Sequence, residues 1–226
     1  MSSAFELYSN NKLSVSDEIP CLYVIEKRKI ANYDTLYSSS DDYTHVLYRI
    51  PDSKVYLVGF DLNQLSNGGS YMIDTHEADG SHSFAYVSVY GKFDRVKNVD
   101  LYFFGIKKMT TASLAGMELY GDDGYVLFTS RKGTRYPKVL KASTASTDSF
   151  TITTNPAIFI VNSADVVANK DTPSRISGGS ERRLPLIAKN GSSVTVTKQL
   201  TNRFYPSYVN TLNMYSWMLV TLKTVE

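Results

Sequence analysis

The residues best equipped for chemistry lie between 74 and 82, which read Asp74-Thr75-His76-Glu77-Ala78-Asp79-Gly80-Ser81-His82. Two histidines and three carboxylates in one stretch could hold zinc or another divalent cation, because imidazole and carboxylate are common ligands for such ions. The spacing fits neither the helical H-E-x-x-H arrangement nor the loop of an EF-hand. A polar hairpin loop without metal is the expectation. Paired carboxylates could do acid–base work on a glycosidic bond, and Asp122-Asp123 and Asp41-Asp42 are such pairs. Aspartates adjacent in sequence point apart on a strand or turn, however. Cys21 and His45 could form a thiol–imidazole couple, but a cysteine in the apolar run CLYVIE is expected to pack as a small hydrophobe. No G-x-S-x-G, P-loop or G-x-G-x-x-G occurs, and Gly178-Gly179 lacks the flanking strand and helix of a phosphate cradle. The chain therefore reads as a non-enzyme, with no catalytic residue, cofactor or metal expected.

Three basic clusters remain: Lys27-Arg28-Lys29, Arg131-Lys132 with Arg135, and Arg182-Arg183. With 24 basic against 22 acidic residues the net charge is only +2, so no long-range field directs the chain to nucleic acid or acidic lipid. Solvated faces, or contacts with acidic patches on a neighbouring subunit, are the expectation. The lone tryptophan, Trp217, could stack on a sugar ring or a partner surface. Arg131, Lys132, Arg135, Arg182, Arg183 and Trp217 are the candidate interface residues.

The elements that must position these residues are strands. Nearly every apolar segment is short, rich in β-branched or aromatic residues, and bounded by Gly, Asn, Asp, Pro or Ser. Strands are expected at 21–26, 44–50, 54–60, 71–75, 84–90, 99–106, 117–120, 125–129, 136–140, 150–154, 157–162, 193–200 and 215–225. Pro51, Asp52 and Ser53 read as the turn of a hairpin, and Asn155-Pro156 as a tight connection. In SVTVTKQL, Val194 and Val196 share one face, with Thr195 and Thr197 on the other. Residues 22–31 have some helical periodicity and 209–218 could open as one turn, but neither has a full set of caps. Segments 35–43 and 163–191 read as long loops, the second as an assembly arm. Asn190-Gly191-Ser192 matches a glycosylation sequon, which has no role without secretion.

This is an all-β chain with a β-sandwich or jelly-roll-like architecture of about a dozen strands. A break at 110–113 (TTAS) suggests two packed β domains, 1–110 and 114–226, with one continuous sandwich as the alternative. At 226 residues and 42% hydrophobic content the chain has material for a sizeable core. Its aromatics are weighted to tyrosine, 17 against 10 Phe, which suits half-buried strand positions and interfaces. One cysteine allows no internal disulfide and points to a reducing or indifferent compartment. The opening MSSAFELYSNNK has neither a basic start nor a long apolar run, so no signal peptide is expected. No stretch approaches the roughly 20 apolar residues of a helical membrane span.

One hairpin is more particular. Residues 116–130 read GMELYGDDGYVLFTS, with Gly121-Asp122-Asp123-Gly124 as a four-residue reversal that suits a type I-based turn. A Gly-led apolar/polar strand, an Asp-Gly turn, Val126-Leu127-Phe128, a small polar residue and then basic residues ending on Tyr136 resembles a segment of small structural proteins in tailed-bacteriophage virions. The match covers about a quarter of the chain, and Thr129 stands where an Asp is common. The resemblance implies a structural component of the virion, in the tail or at its tip or fibre-attachment region, with head decoration as the nearest variant. Its partners would be tail tube, tail tip or capsid subunits and further copies of itself, after synthesis in the host cytoplasm. Neither membrane nor nucleic acid would be bound directly. A carbohydrate- or receptor-binding β-sandwich is the reading from a different class.

Overall fold

The computed structural model describes residues 6–9, 12–16, 21–76, 78–108, 116–163, 165–168, 179–206 and 216–226, with side chains for 21–75, 78–108, 116–161, 183–199 and 216–226. The chain is all-β and sandwich-like. Eighteen strands are found among the described residues, all paired antiparallel, and the helical structure there is confined to two 3₁₀ turns, Leu62–Gln64 and Phe93–Arg95.

Two large sheets face each other. The first has β3 (Tyr23–Lys29), β6 (Ser53–Asp61), β9 (Asp100–Lys107), β12 (Arg135–Ser143), β14 (Ile158–Ser163) and β18 (Ser216–Thr224), in the order β12-β18-β14-β6-β9-β3. The second has β4 (Thr35–Ser40), β5 (Tyr43–Arg49), β7 (Gly69–His76), β8 (Phe84–Tyr90), β13 (Thr147–Thr151), β16 (Gly179–Asn190) and β17 (Ser193–Pro206), in the order β13-β17-β16-β7-β8-β5-β4, with β15 (Asp165–Ala168) on β16. Two short ribbons complete the set: β1 (Glu6–Ser9) with β2 (Lys12–Ser16), and β10 (Glu118–Tyr120) with β11 (Val126–Thr129). Strands from both sides of the break at 110–113 are neighbours in each large sheet, as β6 with β14 and β7 with β16.

The main core lies between the sheets and joins Val46, Tyr48, Val87 and Val89 of the second to Phe60, Phe103, Phe159, Trp217 and Leu219 of the first. Val194 and Val196 face it as their alternation predicts. The first sheet is apolar on its other face too, where Tyr102, Phe104, Ile158, Ile160 and Val220 form a second buried cluster. The sheet curls enough to bring its terminal strands β12 and β3 together, with the Tyr23 and Tyr136 rings 6.2 Å apart. Burial on both faces explains why LYFFGI in β9 shows no polar alternation.

Three sequence expectations are corrected here. Strands β5 and β6 do not form a hairpin. The Pro51-Asp52 turn instead carries the chain from one sheet to the other, with Asp52 at φ 57°; two strands that each bury a face in one core can be joined by an arch as readily as by a hairpin. Segment 35–43 is not a loop but β4 and its turn into β5. Within 163–191, β15 and β16 are strands; of the Asn190-Gly191-Ser192 triplet, Asn190 ends β16 and pairs with Ser193, and Gly191-Ser192 make the tight turn into β17. Residues 169–178 of that segment, and 209–215 of the expected helical turn, lie outside the described residues. The periodicity at 22–31 belongs to β3 rather than to a helix.

Candidate functional site

Most of the sequence-nominated residues serve the fold. In the 74–82 stretch, Asp74 is buried in β7 opposite Ser88 of β8. Asp79 sits in the following turn, where its carboxylate accepts from Ser81 N–H and lies 3.3 Å from His82 Nδ1. The Ser81 bond and the imidazole hold the Asp79 carboxyl below the usual aspartate range. Glu77 and the side chain of His76 lie outside the described residues, and no cluster of three potential metal ligands occurs among those described. Asp123 is bound to Lys54 at 2.5 Å, a contact that lowers its carboxyl, while Asp122, Asp41 and Asp42 are exposed turn residues. Cys21 and His45 belong to different surroundings. Cys21 donates its N–H to Leu127 O and burial pushes its thiol up, whereas His45 lies beside Ser88.

The basic clusters divide. Lys27 pairs with Asp100 at 2.7 Å, Arg28 with Glu26 and Asp34, and Lys29 bonds Asn98 O. Arg131 is drawn into the hairpin, where Glu118 takes its guanidinium and also accepts from Tyr120 and Thr129 hydroxyls. Burial pushes the Glu118 carboxyl up, and these bonds outweigh it and hold it low. Lys132 is exposed and Arg135 and Arg183 are half-buried; the side chain of Arg182 lies outside the described residues. Trp217 is 0% exposed, stacked 5.1 Å from Phe159 and with the tilted Phe150 ring 5.5 Å away. Its expected role as a surface platform is therefore corrected: β18 is a central strand, and this face of it fills the core.

The 116–130 hairpin forms as read. Gly124 N bonds Gly121 O across the turn, Gly124 takes φ 78°, and Met117 O accepts from Ser130 N. It is docked on the body of the protein by Leu127 and Tyr125, which join Tyr23, Ile106 and Tyr136 in a small cluster. The Tyr136 hydroxyl bonds the backbone of Thr129, and Lys54 lies 4.6 Å above the Tyr125 ring.

What the sequence reading missed is a continuous row of rings on the outer face of the second sheet. In β5 and β8 the core takes Thr44, Val46 and Tyr48 with Ala85, Val87 and Val89, so alternate residues turn outward. The rings run from Phe84 to Tyr86 at 5.6 Å, to His45 at 5.2 Å, to Tyr43 at 6.1 Å and to Tyr90 at 5.2 Å. The His45 imidazole lies within 9° of parallel to both tyrosine rings. Ser88 Oγ anchors the middle, 2.9 Å from His45 Nδ1 and 3.1 Å from Tyr43 Oη. Tyr37 of β4 stands over the row, 5.4 Å from Tyr86, and is 52% exposed. The signal was present in FAYVSVY, whose period of two puts Ala85, Val87 and Val89 on one face and rings with Ser88 on the other, and in the Tyr43 and His45 positions of YTHVLYR.

Beside this row lies the sheet edge. Among the described residues strand β4 bonds β5 alone, and its residues 36–40 are all exposed. It carries no charge, proline or glycine, whereas β3 presents Glu26, Lys27, Arg28 and Lys29, and β12 presents Arg135, Pro137, Lys138 and Lys141. At the far edge, β13 has its Ser149 carbonyl held by Lys141 Nζ at 3.1 Å. Charges and prolines on edges prevent further strand pairing. Of these four edges, β4 alone lacks them.

No protein-family model matches the chain, and neither does any curated protein or solved structure. Among the described residues no helix is long and apolar enough to cross a membrane.

Proposed function

We propose that this chain is a structural, non-catalytic component of a tailed-bacteriophage particle, in the tail or at its tip or fibre-attachment region, that works by docking on neighbouring subunits. The observation that supports docking is the uncharged, exposed β4 edge beside the aromatic face, since an unguarded edge is a template for strand addition. The phage context rests on the resemblance of the 116–130 hairpin. Lys132 and Arg135, beside that hairpin, and Arg183 on β16 supply cations for the rim of such a contact. Tail tube, tail tip or capsid subunits are the partners in this reading, and head decoration is its nearest variant. The test is to purify the particle, separate heads from tails and locate the chain by mass. Presence in tails supports the proposal, presence in heads moves it to decoration, and absence from both overturns it.

The aromatic row favours a second reading, glycan or receptor binding, because partly exposed tyrosine rings stack on sugars. With Trp217 buried, the platform for this reading is Tyr37 and Tyr86. It predicts binding on a glycan panel that Tyr37→Ala abolishes, and a blank panel removes it.

A further inference from the structure

We infer that β4 is a self-association edge, at which two copies of this chain pair β4 to β4, antiparallel, about a two-fold axis. The inference rests on the docking reading above and names the partner. Its first ground is the contrast among edges: β3 and β12 add charges to a bulge, β13 is capped by Lys141, and β4 has a bulge alone. That bulge turns Tyr37 over Tyr86 and His45 and leaves Ser38–Ser40 in regular register.

The second ground is charge. Pairing β12 with its own copy would bring Arg135, Lys138 and Lys141 towards their counterparts, and like charges opposite one another destabilise a ladder. Strand β4 offers only Thr35, Leu36, Tyr37 and three serines, so meeting itself brings no like charges together. The charges that flank it are Asp41 and Asp42, exposed in the turn that ends the strand, and Asp34 just before it, which Arg28 already neutralises at 2.8 Å. A parallel pair would set the two acidic turns side by side. An antiparallel pair carries them to opposite ends, which is the two-fold, self-complementary geometry most soluble dimers adopt.

The third ground is apolar surface. Leu36 is 46% exposed and Tyr37 52%, and as neighbours on a strand they point to opposite faces. A strand added at this edge covers both. Two sheets joined there become one, with the aromatic rows of both copies side by side across the axis.

The full chain is tested by sedimentation velocity over a concentration series. The wild type is expected to dimerise, Ser38→Lys to weaken the dimer roughly tenfold or more, and Thr151→Lys on β13 to leave it intact. Folding of each variant is checked by far-UV circular dichroism and Trp217 emission. A variant-free readout is hydrogen exchange of the wild type, in which β4 amides should lose protection on dilution while β9 amides do not. A wild type that stays monomeric, a dimer indifferent to Ser38→Lys, or one equally sensitive to Thr151→Lys overturns the inference, as does β4 protection that ignores dilution. A chain found in the tail fraction yet monomeric in solution defeats self-association alone. A dimer absent from the particle defeats the virion reading alone.

Discussion

At the scale of single residues, ionisable groups that looked chemical in the sequence are mostly spent on one another. Asp100 is nearly buried at the start of β9, bonded by Lys27 at 2.7 Å and by Gln64 Nε2 at 2.6 Å. Burial pushes its carboxyl up, but these bonds outweigh it and hold it below the usual aspartate range. A carboxyl depressed in the folded state adds stability above the unfolded value, about 3.9, and that stability is lost as pH falls through the folded value. Asp100→Asn is therefore expected to cost about 1 kcal/mol at pH 7, after allowance for the solvent-screened Lys27. The difference from wild type should shrink towards about pH 3. Urea midpoints at the two pH values read this directly, and an unchanged difference would count against it. None of this was legible in the sequence: Lys27 and Asp100 are 73 residues apart and meet only because β3 pairs with β9. Trp217 was misjudged for a similar reason, since a lone tryptophan in YSWMLVTLKTV reads alike on an edge and in a central strand.

At the scale of elements, the strands with turn punctuation at both ends were legible, and β8, β10 and β11 lie close to where their residues put them. The hydroxyl-rich β4 was not, because TLYSSS has neither alternation nor aliphatic bulk; it is a strand because Tyr43–Arg49 beside it supplies a ladder. Strand β16 hid behind its polar start, although Asn-Gly at 190–191 is a strong hairpin signal. Pairing of elements depends on details just as small. Gly59 of β6 faces β14 so closely that a Cβ there would lie 2.5 Å from Ile158 Cγ2 and 2.7 Å from Ile160 Cγ1. Both isoleucines belong to the second buried cluster. Gly59→Ala overpacks that contact and is expected to destabilise the fold by about 1–3 kcal/mol, read as a lower denaturant midpoint. A midpoint equal to that of the wild type would mean that β6 and β14 can part without cost.

At the scale of the whole molecule, the sequence showed the class of fold but not how its halves combine. Composition and strand spacing indicate an all-β sandwich, and a polar break at 110–113 invites a boundary. Topology works against separation: β6 lies between β14 and β9, and β7 between β16 and β8. A cut at the break would strip each of a long-range partner and open the main core along both sheets. Trp217 reports on this, because it belongs to the second half yet packs in the cluster that contains Phe60, Tyr48 and Phe103 of the first. Guanidinium unfolding is therefore expected to give one transition, coincident by Trp217 emission and far-UV circular dichroism, since coincident probes mark a single cooperative unit. The fragment 114–226 alone should show red-shifted, solvent-exposed Trp217 emission, and adding fragment 1–110 should shift it back. Two separated transitions, or native-like emission from the isolated second half, would establish instead that the halves fold independently and that β6–β14 and β7–β16 pairing is only an interface between them.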